Sequence, residues 1–205
     1  MHYEIKFILY FCHMKRKIDT SLLDRAIIYA VHAHQGVERR GKGFPYIVHP
    51  LEAVSIVATM TNDQELLAAA VLHDVVEDTP VTVDELRKEF GERVARLVDA
   101  ESDVKIDAPK VESWRQRKQI ALDRLKNASR DMKIVALGDK LSNMRTIAQD
   151  YAVLGNELWN RFTVKDYESH AWRYSALADA LSDLSETEAY KEFRMLVDKV
   201  FGTKA

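Results

Sequence analysis

Residues 63–80 of the chain read DQELLAAAVLHDVVEDTP, a stretch that joins a long apolar run to a cluster of titratable side chains. Leucine, alanine and valine side chains recur through this run at the spacing of one helix face. The stretch therefore predicts an α-helix over residues 63–77 whose C-terminal half is buried or half-buried.

The end of the predicted helix carries four titratable side chains, His73, Asp74, Glu77 and Asp78. Because residues four apart share a helix face, we expect His73 to lie over Glu77 and Asp74 over Asp78. The three carboxylates repel one another and lie near the negative end of the helix dipole, which costs stability unless a cation compensates them. A bound metal ion is the simplest compensating cation.

Two other segments supply further metal-ligand candidates. In YIVHP, His49 directly precedes a helix start at Pro50, and in LGDKLSNMR an apolar helix contains Asp139, with Asn143 one turn later on the same face. Imidazole together with carboxylate suits Mn²⁺, Fe²⁺ or Zn²⁺ and argues against Ca²⁺, which prefers oxygen ligands.

The rest of the chain is also helical in its period, and we expect an all-α fold. The predicted helices lie near residues 20–35, 50–60, 63–77, 83–101, 110–127, 131–150, 165–184 and 186–200. Thr82 with Glu85 is read as a capping box, and so is Ser185 with Glu188. We interpret residues 19–205 as one domain and residues 1–18 as an N-terminal arm or extension.

Composition limits the classes of partner and compartment. The chain has 205 residues, 47% of them hydrophobic, and a net charge of only −2, so no overall field recruits nucleic acid or an anionic membrane. The single cysteine, Cys12, excludes an internal disulfide framework and suits the cytoplasm. The apolar segment IKFILYFCHM is too short to span a bilayer, which needs about 20 residues. The sequence leaves a homo-oligomer open.

A basic, glycine-rich loop precedes His49. Its cations and glycines are Arg39, Arg40, Lys42, Gly36, Gly41 and Gly43. Glycine lets backbone N–H groups approach an anion closely, and arginine binds phosphate through its planar fork. The loop is therefore either a solvated turn or a phosphate-binding element, and its position just before His49 favours the second reading.

Three motifs together resemble one known family. HQGVERRGKGFPYIVHPLEAV (34–54), AAAVLHDVVEDT (68–79) and LGDKLSNMRT (137–146) are similar to the hydrolase domain of the RelA/SpoT group, within the HD-domain metal-dependent phosphohydrolases. The stand-alone small alarmone hydrolases of the Mesh1 type are the nearest match. The resemblance runs in order and spacing from about residue 20 to residue 200.

The resemblance implies a Mn²⁺-dependent enzyme, or one using another divalent transition metal, that removes the 3′-pyrophosphate of ppGpp or pppGpp. It implies His49, His73, Asp74 and Asp139 as metal ligands. It implies Glu77 and Asp78 as the acids that orient and deprotonate water, with Glu77 the first choice as general base. It implies Arg40, Lys42 and Asn143 as substrate-binding residues.

The chain departs from the family pattern at two places. Many members read Arg-Lys-Ser-Gly where this chain has Arg40-Gly41-Lys42-Gly43, so one positive charge is moved along the loop. Gly138 replaces a commoner alanine, and we expect little effect from that change.

Two alternative functions stay open. The first is hydrolysis of another nucleotide, a nucleoside phosphate or the 2′-phosphate of NADPH, on the same scaffold. The second is a non-enzymatic alarmone sensor, which the Glu77-Asp78 pair disfavours because a binder needs no water-activating acids. Long members of the group carry synthetase and regulatory domains after the hydrolase, and we expect this chain to act as a hydrolase alone.

Overall fold

Residues 18–102 and 106–202, the part of the chain described by the computed structural model, form α-helices joined by short loops. The α-helices are α1 (Ser21–Ala33), α2 (Val48–Val57), α3 (Gln64–Leu72), α4 (Val75–Asp78), α5 (Val83–Phe90), α6 (Glu92–Glu101), α7 (Trp114–Lys126), α8 (Arg130–Leu154), α9 (Tyr167–Ala180) and α10 (Glu188–Phe201). Two short 3₁₀-helices, Gly155–Arg161 and Ser182–Leu184, complete the set. These ranges contain no β-strand, only an isolated bridge between Glu38 and Pro45, which confirms the all-α prediction.

The predicted N-terminal arm, residues 1–18, lies outside the described residues except for Ile18, whose side chain is exposed. Among the helices described above, none has the length and apolar character needed to cross a lipid bilayer.

Helices α3 and α8 form the centre of the core. Every residue of α3 from Leu66 to Leu72 is buried, so this helix is surrounded on all sides. Helix α8 is buried continuously from Lys133 to Asp139 and packs against α2, α3, α6 and α10. A helix that is apolar around its circumference belongs inside a protein. The buried stretch of α8 also includes Lys133 and Asp139, so this helix places charged side chains in the interior.

The predicted helix over residues 63–77 is interrupted, so the expectation of one continuous helix is wrong. Helix α3 ends at Leu72, His73 and Asp74 form a turn, and α4 resumes at Val75. The Asp78 N–H still bonds to the Asp74 carbonyl at 2.9 Å, which keeps the four-residue relation between these two positions. The interruption falls at the two candidate metal ligands.

The predicted helix over residues 83–101 is also two helices. Gly91 has φ +91°, a left-handed value that glycine adopts without steric cost, and its N–H closes α5 on the Arg87 carbonyl. The chain turns there and α6 begins at Glu92. The helix predicted over 165–184 likewise ends at Ala180 and continues only as a 3₁₀ turn.

One of the two predicted capping boxes is present. The Thr82 hydroxyl accepts from the Glu85 N–H while the Glu85 carboxylate accepts from the Thr82 N–H. The Ser185 box is wrong, because Ser185 lies in a turn and Thr187 caps α10 by accepting from the Tyr190 N–H.

Helices α2 and α8 approach each other most closely at Gly138. A Cβ atom there would lie 2.6 Å from Val57 Cγ2 and 2.9 Å from the Ala53 carbonyl oxygen, both closer than real Cβ contacts allow. The expectation that Gly138 matters little is therefore wrong. The absent side chain lets the helix that carries Asp139 lie directly against the helix that carries His49.

We expect Gly138→Ala to lower the free energy of unfolding by about 1–2 kcal/mol. Overpacking costs about 1–3 kcal/mol, and the backbone carbonyl of Ala53 is unable to move aside cheaply, whereas the helix-propensity gain of alanine is about 1 kcal/mol. Urea unfolding measures the change. Val57→Ala removes the methyl group that the new Cβ would meet. The Val57→Ala/Gly138→Ala double variant therefore keeps only the clash with the Ala53 carbonyl and should be less stable than Val57→Ala alone. A Gly138→Ala protein as stable as the parent contradicts the close contact.

Candidate metal centre and active-site cleft

Four side chains from distant parts of the sequence meet at one point in the interior. His49 Nε2 lies 3.1 Å from Asp139 Oδ1 and 3.5 Å from Asp74 Oδ2. His73 Nε2 lies 2.9 Å from Asp74 Oδ2 and 3.6 Å from Asp139 Oδ1. The structure thus places all four predicted metal ligands within reach of a common centre.

Each of these side chains is positioned by a helix end or a helix contact. His49 is in the first turn of α2, where Pro50 is itself buried. His73 and Asp74 occupy the turn between α3 and α4. Asp139 lies in the middle of α8, one residue after the close contact of Gly138 with α2. Helix packing, not sequence proximity, brings the set together.

The orientation of His73 fits a metal ligand. Its Nδ1 lies 2.8 Å from the Ala70 carbonyl oxygen, which only accepts, so Nδ1 carries the proton. In the neutral ring Nε2 then presents a lone pair. This buried Nε2 makes no hydrogen bond with any described residue, and ligand atoms of His49, His73 and Asp74 all lie within 4.8 Å of one another. In the neutral tautomer this buried nitrogen directs its lone pair at the carboxylates, an arrangement that a divalent transition-metal ion between them would stabilise.

The charge of the cluster also favours a bound cation. Burial lowers the pKa of His73, but the neighbouring carboxylates of Asp74 and Asp139 outweigh burial and raise this pKa well above its usual value. The centre therefore favours added positive charge, whether a proton or a metal ion.

Both carboxylates of the cluster are held by further donors. The Tyr46 hydroxyl donates to Asp74 Oδ2 at 2.5 Å. Asp139 accepts from the Asn143 amide and from the Lys140 ammonium, and Lys140 also pairs with Glu101 at 3.1 Å. Hydrogen-bonded outer residues of this kind fix the direction of metal-binding carboxylates.

A cleft of about 450 Å³ opens over the four ligands. Glu77 and Asp78 line it, and both side chains are exposed relative to the buried ligands. Burial raises the pKa of the Asp78 carboxyl, and the charge of Asp74 raises it further. The apolar wall opposite is formed by Leu122, Leu125, Met132, Ala136 and Leu177. The cleft thus places two acids at the edge of the candidate metal centre.

A second cavity of about 310 Å³ adjoins the cleft and is rich in positive charge. Its cationic lining residues are Arg39, Arg40, Lys42, Arg161 and Arg173. Four residues, Arg39, Tyr46, Asn143 and Arg173, line both spaces. We call this second space the basic cavity.

The predicted substrate-binding residues divide between these two spaces. Asn143 lines both and accepts from Arg39 Nη2 at 2.6 Å. Lys42 lies in the basic cavity, where its ammonium is 2.5 Å from Asp150 Oδ1. Arg40 is exposed in the same cavity and donates to the Arg161 carbonyl at 3.2 Å. Lys42 and Arg40 therefore do not lie beside the four ligands.

Sequence reasoning missed several lining residues. Tyr46 is three residues before His49, a spacing that places both on one side of the turn into α2. Arg173 interrupts an apolar stretch of α9, which was a usable signal for a charged residue aimed at a site. Arg39 was recognised as part of the basic loop but given no separate role, although its guanidinium lies 5.3 Å from the Tyr46 ring centre.

Comparison with known proteins gives relatives over most of the chain. The HD domain family model matches residues 26–165. A guanosine-3′,5′-bis(diphosphate) 3′-pyrophosphohydrolase of Haemophilus influenzae is 43% identical over 121 residues, which cover 56% of this chain and 17% of that protein. A GTP pyrophosphokinase rsh of Brucella ovis is 31% identical over 199 residues, covering 84% of this chain and 26% of that protein. The chain thus spans about a quarter or less of the length of these relatives.

A solved structure of a metazoan SpoT orthologue, described as hydrolysing ppGpp, superimposes with a TM-score of 0.69. It is 24% identical, and the match covers 90% of this chain and 96% of the other, so it supports the fold. With two thirds of its residues matched by the family model and the ligand cluster in place, the chain belongs to the HD domain family.

Proposed function

We propose that this protein hydrolyses the 3′-pyrophosphate of ppGpp and pppGpp, giving GDP or GTP and pyrophosphate. The observation that carries the proposal is one cleft lined by the four proposed ligands and two further acids, directly beside a basic cavity. The activity of the Haemophilus relative, a guanosine-3′,5′-bis(diphosphate) 3′-pyrophosphohydrolase, supports the same substrate.

The proposed metal ligands are His49, His73, Asp74 and Asp139. The proposed metal is Mn²⁺, which this mixed set of imidazoles and carboxylates suits. When bound, a divalent ion lowers the pKa of water from 15.7 toward about 7 and neutralises charge on phosphoryl oxygens.

The proposed base is Glu77, with Asp78 orienting the attacking water. In the reaction, the water oxygen bonds to the phosphorus attached to the ribose 3′ oxygen, and the bond between that phosphorus and the 3′ oxygen breaks. Glu77 accepts a proton from water, and the 3′ oxygen gains one. A positioned carboxylate of this kind contributes about 10²–10⁴-fold to the rate.

The basic cavity supports a substrate with two anionic ends. We propose that the 3′-pyrophosphate lies over the four ligands while the rest of the nucleotide reaches the basic cavity past Asn143. Arg40 and Lys42 contribute positive charge there. Lys42 is shared with Asp150, so a phosphate would have to compete with that carboxylate for the ammonium.

Removing a proposed ligand should abolish metal retention and turnover together. We expect His73→Ala and Asp74→Asn to lose bound Mn²⁺, because the first deletes a nitrogen donor and the second replaces a carboxylate with a neutral, weaker amide. Isothermal titration calorimetry measures binding. Asp84→Asn, an exposed carboxylate on α5, is the matched control and should bind as the parent does. Retention of full Mn²⁺ affinity in His73→Ala would show the ligand assignment to be mistaken.

Removing the proposed base should separate binding from chemistry. We expect Glu77→Gln to keep Mn²⁺ while kcat falls by about 10²-fold or more, since the amide holds water but accepts no proton. Glu89→Gln, an exposed side chain outside the cleft, serves as the control. An unchanged kcat excludes Glu77 from the mechanism.

A substrate panel tests the proposed function itself. Purified protein with Mn²⁺ is given ppGpp, pppGpp, NADPH, GTP and nucleoside monophosphates, and released pyrophosphate and phosphate are measured separately. We expect pyrophosphate from ppGpp and pppGpp only. Phosphate from NADPH would assign the site to a different nucleotide, and Mn²⁺ binding without release from any substrate would favour a sensor.

A further inference from the structure

The ring of His49 is held by a hydrogen-bond chain that lies behind the metal centre. His49 Nδ1 is 2.7 Å from Ser142 Oγ, and the Ser142 hydroxyl donates to Glu52 Oε2 at 2.7 Å. His49 is 4% exposed and Ser142 is 1% exposed, so bulk water does not replace either contact. We call these three residues the His49–Ser142–Glu52 chain.

The direction of the chain follows from its donors and acceptors. An ionised carboxylate only accepts hydrogen bonds, so the one hydroxyl proton of Ser142 is directed to Glu52. The Ser142 oxygen then has only lone pairs left for His49. Nδ1 of His49 must therefore carry a proton and donate it to Ser142.

The direction of these hydrogen bonds decides which ring nitrogen of His49 offers a lone pair to the metal centre. With the proton on Nδ1, Nε2 of the neutral ring carries the lone pair, and Nε2 is the atom 3.1 Å from Asp139 Oδ1. His73 achieves the same result by donating to the Ala70 carbonyl of its own helix. His49 lies in the first turn of α2. Its Nδ1 finds an acceptor on another helix, the Ser142 hydroxyl of α8.

Glu52 is itself held by Arg145 of α8, and α10 orients that arginine through Glu192. Arg145 Nη1 donates to Glu52 Oε1 at 3.0 Å, while Arg145 Nε and Nη2 donate to the two oxygens of Glu192 on α10 at 2.7 and 2.6 Å. The carboxylate of Glu52 thus has one oxygen for Arg145 and the other for Ser142. This arrangement keeps the carboxylate from turning away from the serine.

We propose that Ser142 and Glu52 are positioning residues that set the tautomer and ring orientation of His49 for metal binding. Each of the two helices carries a proposed metal ligand three residues before an orienting residue. On α2 His49 precedes Glu52, and on α8 Asp139 precedes Ser142. Residues three apart share a helix face, so each helix presents one ligand and one orienting group to the other. The inference rests on the metal role of His49 given under Proposed function.

The first test measures Mn²⁺ affinity, not turnover. Ser142→Ala removes the acceptor of His49 Nδ1 and should weaken Mn²⁺ binding about 10–100-fold, the usual loss when a partner of a metal-binding histidine is removed. Ser55→Ala is the matched control, because Ser55 is an exposed serine on α2 whose hydroxyl donates to the Leu51 carbonyl of its own helix. We expect its affinity to match that of the parent protein.

A second pair of variants separates orientation from packing. Ser142→Thr and Ser142→Val add nearly the same volume at this buried position, but only threonine keeps the hydroxyl. We expect the threonine variant to bind Mn²⁺ at least tenfold more tightly than the valine variant. A purely structural role predicts equal affinities in the two, and that result would overturn the proposal.

Glu52→Ala extends the test to a half-buried position where folding is less at risk. Without its acceptor the Ser142 hydroxyl is free to donate to His49 Nδ1, which favours the wrong tautomer. We therefore expect weaker Mn²⁺ binding, whereas Glu52→Gln, whose amide oxygen still accepts, should lose less. Equal affinities for the parent, Ser142→Ala and Glu52→Ala would overturn the positioning role.

These measurements are independent of the proposed substrate. Parent protein that binds Mn²⁺ and releases no pyrophosphate from ppGpp would overturn the proposed activity while leaving the affinity differences as evidence for positioning. Parent protein that binds no Mn²⁺ would overturn both the ligand assignment and the positioning role that depends on it.

Discussion

The structure depends on the compensation of negative charge that is buried between two core helices. Asp74 and Asp139 bring two carboxylates into the interior, where an unpaired charge is strongly disfavoured. Tyr46, Asn143 and Lys140 supply donors to these carboxylates, and two imidazoles face them directly. Added positive charge at the centre, whether a proton or a metal ion, would complete the compensation. The two buried carboxylates that raise the free energy of this interior therefore also make it a candidate cation site.

Much of this arrangement could be predicted from the sequence, because ligands were marked by unusual positions. Asp139 stands inside an apolar helix, and His73-Asp74 ends an apolar run, so each was a polar exception to its surroundings. Ser142 and Tyr46 carried no such mark. A serine or tyrosine next to apolar residues is ordinary, and its role depends on which helix packs opposite, information that helical period alone does not contain.

The helix boundaries show a similar division. Thr82 and Glu85 form the predicted capping box through contacts within four residues, whereas the same pattern at Ser185 and Glu188 does not, because Thr187 caps α10. The interruption at His73 and Asp74 had no glycine or proline to signal it. Gly138 is a further case, because its importance lies in the Ala53 carbonyl and the Val57 methyl of another helix. Long-range contacts of this kind decide the separation between His49 and Asp139, and they lie outside the reach of local patterns.

The shared wall between the cleft and the basic cavity has a consequence for selectivity. Arg39, Tyr46, Asn143 and Arg173 line both spaces, so the cleft with its candidate metal centre and the basic cavity share one wall. A molecule that is charged at one end only leaves the other end hydrated. Under the proposed function, the separation of the two spaces sets how far apart the anionic groups of a substrate must lie.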